Sequence, residues 1–180
     1  LTIEKKGTIP KEYQDKFAMR AIPKGENADL PISDLVESEV RRRYKKIMKR
    51  GAKIKEDTPD ASIHALRIEC KKVRYLFELF ASLFDETKLK IVLKRLKKLQ
   101  NTLGEFNDYS VQIESMQSYL FSTDTLDKKG AAAVGGLLVS LENRKKDVRG
   151  KVHERFLQFS EDRTRKYLNE TLESMKGKHS

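Results

Sequence analysis

"IHALRIECKKVRYLFE", residues 63–78, decides how the rest of the chain is read. Leu66, Cys70, Val73 and Phe77 recur at helical spacing, which predicts an amphipathic α-helix with one buried stripe. The cations follow a second helical spacing. His64, Arg67, Lys71 and Arg74 are separated by three, four and three residues, so they share one side of that helix. At about 100° per residue they fill an arc beside Tyr75 and Glu78, clear of the apolar stripe. The helix rises about 15 Å from His64 to Arg74, a length suited to an extended polyanion rather than one small ligand.

The arrangement repeats further along. In "VLKRLKKLQNTLGEFNDYS", residues 92–110, Lys94, Lys97, Asn101, Gly104 and Asp108 share one side, bordered by Lys98. Leu93, Leu96, Leu99, Leu103, Phe106, Ser110 and, beyond the stretch, Ile113 form the inward set. A third region offers Arg144, Lys151 and Arg155 within one narrow arc. If the three stripes converge, they line a basic groove. A lysine-rich helix face is most often solvated surface. Two features weigh against that here. Arginine occupies mid-stripe positions, where a planar fork can grip phosphate in a bidentate way. Acidic partners one turn away are also sparse, with Glu78 after Arg74 and Asp108 after Gly104 placed to orient cations. Tyr75 either donates its hydroxyl to a phosphate or packs between helices. His64 either donates from a ring nitrogen to an anion or serves as a capping or packing residue.

The balance of charge agrees with a polyanionic partner. Among 180 residues, 38 Lys and Arg stand against 27 Asp and Glu, a net charge of +11. That size suits one domain with a core of its own. No apolar run approaches the ~20 residues needed to cross a membrane, and no signal-peptide pattern is present. The lone Cys70 rules out an intramolecular disulfide and fits a cytoplasmic location. His64, His153 and His179 lack ligand-pair spacing, and Cys70 lies about 120° from His64 on the helical wheel, so no metal is expected. Nor is a cofactor or a catalytic residue: no carboxylate pair stands out, and Gly135–Gly136 lacks the Lys-Ser/Thr of a phosphate loop.

Residues 1–30, broken by Gly7, Pro10, Pro23 and Gly25, read as an irregular arm or linker with a short helical turn near Glu12–Arg20. Helices are expected over Pro31–Lys49, Ala61–Phe84, Leu89–Leu120 and Leu126–Leu172, the last with a bend near Gly150 or Ser160. Ser33 or Asp34, and then Asp60 or Ser62, are candidate N-caps, and Gly51 a candidate stop. The small residues of "GAAAVGGLLVSL" invite close approach by a neighbouring helix. With no strand pattern, the expectation is an all-α antiparallel bundle of four principal helices spanning 31–172, followed by a tail at 173–180.

Read together, "HALRIECKKVRYLFELF" (His64–Phe80) and "LKKLQNTLGEFND" (Leu96–Asp108) resemble the CHAD family, the conserved histidine α-helical domain. The resemblance implies an all-helical fold of two similar four-helix halves around a basic central pore. It also implies binding of inorganic polyphosphate by pore-lining Lys and Arg, with no catalysis by the domain itself and a polyphosphate-metabolising enzyme as a partner. The family histidine matches His64, and its basic positions match Arg67, Lys71, Lys72 and Arg74. The Arg-Tyr pair matches Arg74–Tyr75 and the following acid Glu78, while Lys97, Gln100, Gly104, Asn107 and Asp108 match the second motif. Arg144 and Arg155 match the basic last helix loosely. The motif pair occurs once, in wording closest to a C-terminal half. The chain, which starts at Leu1 rather than Met, is then either a piece of a longer protein or one of two copies whose homodimer rebuilds the whole. Three other readings stand beside this one: a general nucleic-acid-binding helical protein, a scaffold bundle with solvated basic faces, and an enzyme acting on a phosphorylated substrate through His64.

Overall fold

Val36, Val40 and Ile47 fall on one stripe when the chain coils at about 3.6 residues per turn. The computed structural model, which describes residues 31–122 and 127–175, buries all three on the inner face of helix α1, Ile32–Gly51. Helix α2, Asp60–Leu79, buries Leu66, Cys70, Val73 and Phe77 as their spacing requires. It stops short of Phe84, which follows a single 3₁₀ turn at Ala81–Leu83 and still packs its ring on Phe77. Helix α3, Glu86–Ser122, buries Leu96, Leu99, Leu103, Phe106 and Ile113, together with Val92, whereas Leu93 is only partly covered. The final helical stretch is interrupted at Glu161 into α4, Lys128–Ser160, and α5, Asp162–Glu173. Gly150 lies inside α4. The arm expected over residues 1–30, part of the loop before α4, and the residues after Met175 lie outside the described residues.

The helices run antiparallel. His64 meets Asn107 and Arg74 meets Gln100, so numbering rises along α2 as it falls along α3. Arg95 reaching Gln158 and Arg149 over Phe106 order α3 and α4 in the same way. Asp85 bonding Ser174 and Arg95 bonding Thr164 lay α5 along the start of α3. One core joins all five helices and continues to Met175, 1% exposed and three residues beyond the expected end of the bundle. The architecture is an all-α bundle, with no strand among the described residues.

Several local expectations give way to non-local contacts. Pro31 and Pro59 precede α1 and α2, and neither helix start has a side-chain cap. Ser33, Asp34, Asp60 and Ser62 therefore do not serve as N-caps. Proline fits there because the first helical turn leaves its own donors unbonded in any case. Asp60 instead pairs with Arg149 and Lys145 of α4. Gly51 closes α1, yet the residue after it stays in the right-handed region, so no left-handed turn asks for glycine. The reason is packing, since a Cβ at Gly51 would overlap the ring of Phe156, itself 3% exposed. Gly51→Ala is expected to destabilise by about 1–2 kcal/mol, the overpacking cost outweighing the better helix propensity of alanine. Gly150→Ala, where a Cβ meets nothing within 4 Å, is expected to raise stability slightly. Thermal unfolding followed by circular dichroism checks both; a Gly51→Ala melt at or above wild type would refute the packing account.

Helix α3 has 37 residues and α1 and α2 have 20 each, so α3 is about 25 Å longer than its neighbours. Beyond Ser110 and Lys145, α3 and α4 run on as a pair that buries only Ile113 and Leu141. The small residues of α4 lie in this extension. Nothing comes within 4 Å of a Cβ placed at Gly135 or Gly136, so the close helix approach expected there is absent among the described residues.

Candidate functional site

The basic side of α2 is held against α3 at two points. His64 is exposed, and its Nδ1 lies 3.1 Å from Oδ1 of Asn107. Three turns further on, Arg74 donates from Nη1 to Oε1 of Gln100 at 3.4 Å. Its Nε sits 3.3 Å from Glu78 Oε1, and its guanidinium lies 5.2 Å from the ring centre of Tyr75. Arg67 and Lys71 are half-buried between these two points. The motif acids and amides thus orient the cations: Asn107 the histidine, Gln100 and Glu78 the arginine.

Gln100 is 8% exposed, and its amide Nε2 has no hydrogen-bond partner among the described residues. The Nε of Arg74 is likewise buried and makes no hydrogen bond despite its nearness to Glu78. Both atoms are donors. Gln100 Nε2, a buried donor without an acceptor, carries a desolvation cost that an oxygen ligand brought within reach would relieve, whereas Arg74 Nε keeps the Glu78 charge close by. Gly104 on the same side of α3 has open space where a side chain would project.

On α3, Lys94, Lys97, Lys98, Asn101 and Asp108 are all exposed. Lys94 and Lys98 line a surface depression of about 440 Å³ together with Arg155 of α4 and Tyr167 of α5. Arg95 and Arg163 also border it, and neither was indicated by the stripes. Arg95 bonds to the carbonyl of Gln158, the Glu161 carboxylate and the Thr164 hydroxyl. A cation so placed satisfies the carbonyl end of α4 just where the helix breaks. Arg155 itself bonds Gln158 at 2.8 Å. Lys151 and Arg144 are exposed further along α4, about 6 Å and about 17 Å of helix from Arg155. Arg144 therefore lies toward the extension, apart from the other cations.

Two more residues of the expected set sit elsewhere. Tyr75 is 8% exposed and packs between helices, beneath Arg74. Lys72 falls on the opposite flank of α2, toward α1, with Nζ 3.8 Å from Glu69. That flank holds the ionic cluster of Arg43 with Glu39 at 2.5 Å and Glu69 at 3.2 Å. Arg149, a cation the stripes also omitted, grips the Thr58 carbonyl and the Asp60 carboxylate and stacks on Phe106. It fixes the start of α2, and so His64 one turn later.

Among the described residues no three His, Cys, Asp or Glu side chains are grouped to hold a metal. Cys70 is fully buried; that burial, and then the Glu69 charge, push its thiol up, so it stays protonated and unreactive. No helix among the described residues is long and apolar enough to cross a membrane.

A family model described as CHAD domain matches residues 6–117. The match takes in α1, α2 and most of α3, including both motifs and their paired contacts, and leaves Arg144, Lys151 and Arg155 outside it. No curated protein matches the chain.

Proposed function

The chain belongs to the CHAD-domain family, and from that premise we propose that it binds inorganic polyphosphate on the α2–α3 face without reacting with it. The observation that carries this reading is the row of cations on α2 and α3 with the buried, unsatisfied donor Gln100 Nε2 beneath it. A phosphate oxygen supplies the acceptor that amide lacks, and the guanidinium and lysine charges balance its own. Arg67, Lys71, Arg74, Lys94 and Lys97 make the main contacts. Lys98 and Arg155 extend the path into the depression beside α5.

His64 closes the row of cations, its Nδ1 3.1 Å from Asn107 Oδ1, and no attack on phosphorus is asked of it. We place this activity in the cytoplasm, in keeping with a lone cysteine that has no second thiol in the chain to pair with.

A nucleic-acid reader would stack bases on exposed aromatics among the cations. On this face Tyr75 is buried and Tyr109 only half exposed, which favours a ligand without bases. The test is competition between long-chain polyphosphate and RNA of equal phosphate count at physiological salt, with free phosphate assayed alongside. Polyphosphate is expected to displace RNA, to bind more weakly as salt rises, and to release no phosphate. Preferential binding of RNA, or phosphate release that His64→Ala abolishes, would overturn the reading.

A further inference from the structure

The depression beside α5 is built differently from the basic α2–α3 face. Its volume of about 440 Å³ falls within the range of small-ligand sites, roughly 300–1,000 Å³. Contacts along α3 fix its two ends. Arg95 bonds both the Gln158 carbonyl and the Thr164 hydroxyl, so α4 ends and α5 begins at that level of α3. From there α5 runs toward Asp85, which sets Tyr167 level with Ile91, while the preceding turn of α4 sets Arg155 level with Lys98. All four residues line the depression. Ile91 and Lys98 are about 10 Å apart along α3. One end is therefore apolar and aromatic, and the other is cationic. Glu161 is the one carboxylate in this wall among the described residues, and Arg95 holds it at 3.1 Å. Lys94 and Lys98 thus line the depression without an acid of their own, and Arg155 has Glu154 only at 3.9 Å. At the other end Tyr167 is half-buried against the core, with the Arg163 guanidinium 5.8 Å from its ring centre.

We infer that the depression is a nucleotide site, in which the base stacks on Tyr167 beside Ile91 and the phosphates of a nucleoside di- or triphosphate lie among Lys94, Lys98 and Arg155. The division of the wall selects this class of ligand. A bare polyphosphate satisfies the cationic end alone, because it has no apolar part to cover Ile91 and Tyr167. A nucleotide carries a flat base and a run of phosphates at opposite ends, in the same order as the wall. Aromatic faces stack on bases of every kind, and the Arg163 guanidinium adds a second flat group beside the ring. The α2–α3 face has no equivalent, since Tyr75 lies buried beneath Arg74. Lys and Arg grip the phosphates by charge-assisted bonds. The site does not rest on polyphosphate binding, and it shares with that path only Lys94, Lys98 and Arg155.

The experiment is calorimetric titration of the full chain with ATP and, separately, with methyl triphosphate, at physiological salt and without divalent metal or polyphosphate. Methyl triphosphate carries the phosphates of ATP without the base. ATP is expected to bind at least about tenfold more tightly, the difference being the stack. Tyr167→Leu keeps an apolar side chain against the core. It is expected to weaken ATP at least about tenfold and to leave methyl triphosphate within about twofold, while Tyr167→Phe keeps the wild-type affinity for both. Lys98→Gln with Arg155→Gln is expected to weaken both ligands at least about tenfold. Saturation-transfer NMR on the wild type gives a readout that needs no variant: the adenine protons are expected to be marked more strongly than those of the ribose. Equal affinity for the two ligands, equal losses of both in Tyr167→Leu, unmarked adenine protons, or no binding of ATP at millimolar concentration would each overturn the proposal.

Discussion

Arg43→Ala is expected to cost about 3–5 kcal/mol, the largest stability loss of any single charge removal in the bundle. The guanidinium is 4% exposed and joins Glu39 on its own helix to Glu69 on α2. Its removal leaves Glu69, whose side chain is 8% exposed, with weaker compensation from Lys72 at 3.8 Å and from the charge of Arg42. An uncompensated buried carboxylate, rather than the lost attraction itself, dominates that cost. The double variant Arg43→Met with Glu69→Leu replaces both ions by apolar groups and is expected to recover most of the loss. Denaturant melts of Arg43→Met, Glu69→Leu and the double give the coupling; a double variant no better than Arg43→Met would show that the lost attraction, rather than the stranded carboxylate, sets the cost. The cluster also sets an acid limit. Burial raises the Glu39 carboxyl, but bonds and charges from Arg42 and Arg43 outweigh it and hold the group below its ordinary value. A carboxylate depressed on folding stabilises above its unfolded pKa, and that contribution is lost as pH falls through the folded one. Wild type should therefore lose this part of its stability below the ordinary carboxylate range, and Arg43→Ala should show less of that loss.

Arg43 also marks where sequence reading worked and where it failed. Positions 36, 40, 43 and 47 have one helical phase, so the burial of 43 was available from spacing; the residue type, in the run "RRRYKK", disguised it as surface. The apolar stripes of α2 and α3 were legible because each repeats over several turns. The phase of the cations relative to those stripes was legible for the same reason, and Lys72, eight residues from His64, already falls off the His64–Arg74 arc at about 100° per residue. Register between helices was not legible. That His64 stands opposite Asn107, and Arg74 opposite Gln100, depends on loop geometry that no local pattern encodes. Gly51 likewise reads as a stop until Phe156, 105 positions away, supplies the actual reason for it. Arg149 and Arg95 act on backbone carbonyls of distant loops and helix ends, contacts with no periodic signature.

Arg67→Glu with Lys97→Glu is expected to weaken polyphosphate binding by at least about 100-fold while leaving the fold in place. Each site gives up one charge-assisted contact, about 1.5–3 kcal/mol apiece, and the reversal adds repulsion. Arg67 is half-buried and Lys97 exposed, and neither takes part in the Arg43 cluster or the Arg149 clamp, so the unfolding midpoint should move by only a few degrees. Reversing Arg74, which packs on Tyr75 and bonds Gln100, would mix binding with stability. The salt dependence gives the second readout. A variant that has lost phosphate contacts releases fewer counterions on binding, so its affinity should fall less steeply with salt than that of wild type. A merely solvated basic face makes the opposite forecast: any two exposed cations are equivalent, and Lys45→Glu with Lys46→Glu on α1 should weaken binding equally. Calorimetric titration of both pairs over a range of salt separates the cases. Equal losses in the two variants, or wild-type affinity in Arg67→Glu/Lys97→Glu, would mean that polyphosphate does not lie along α2 and α3.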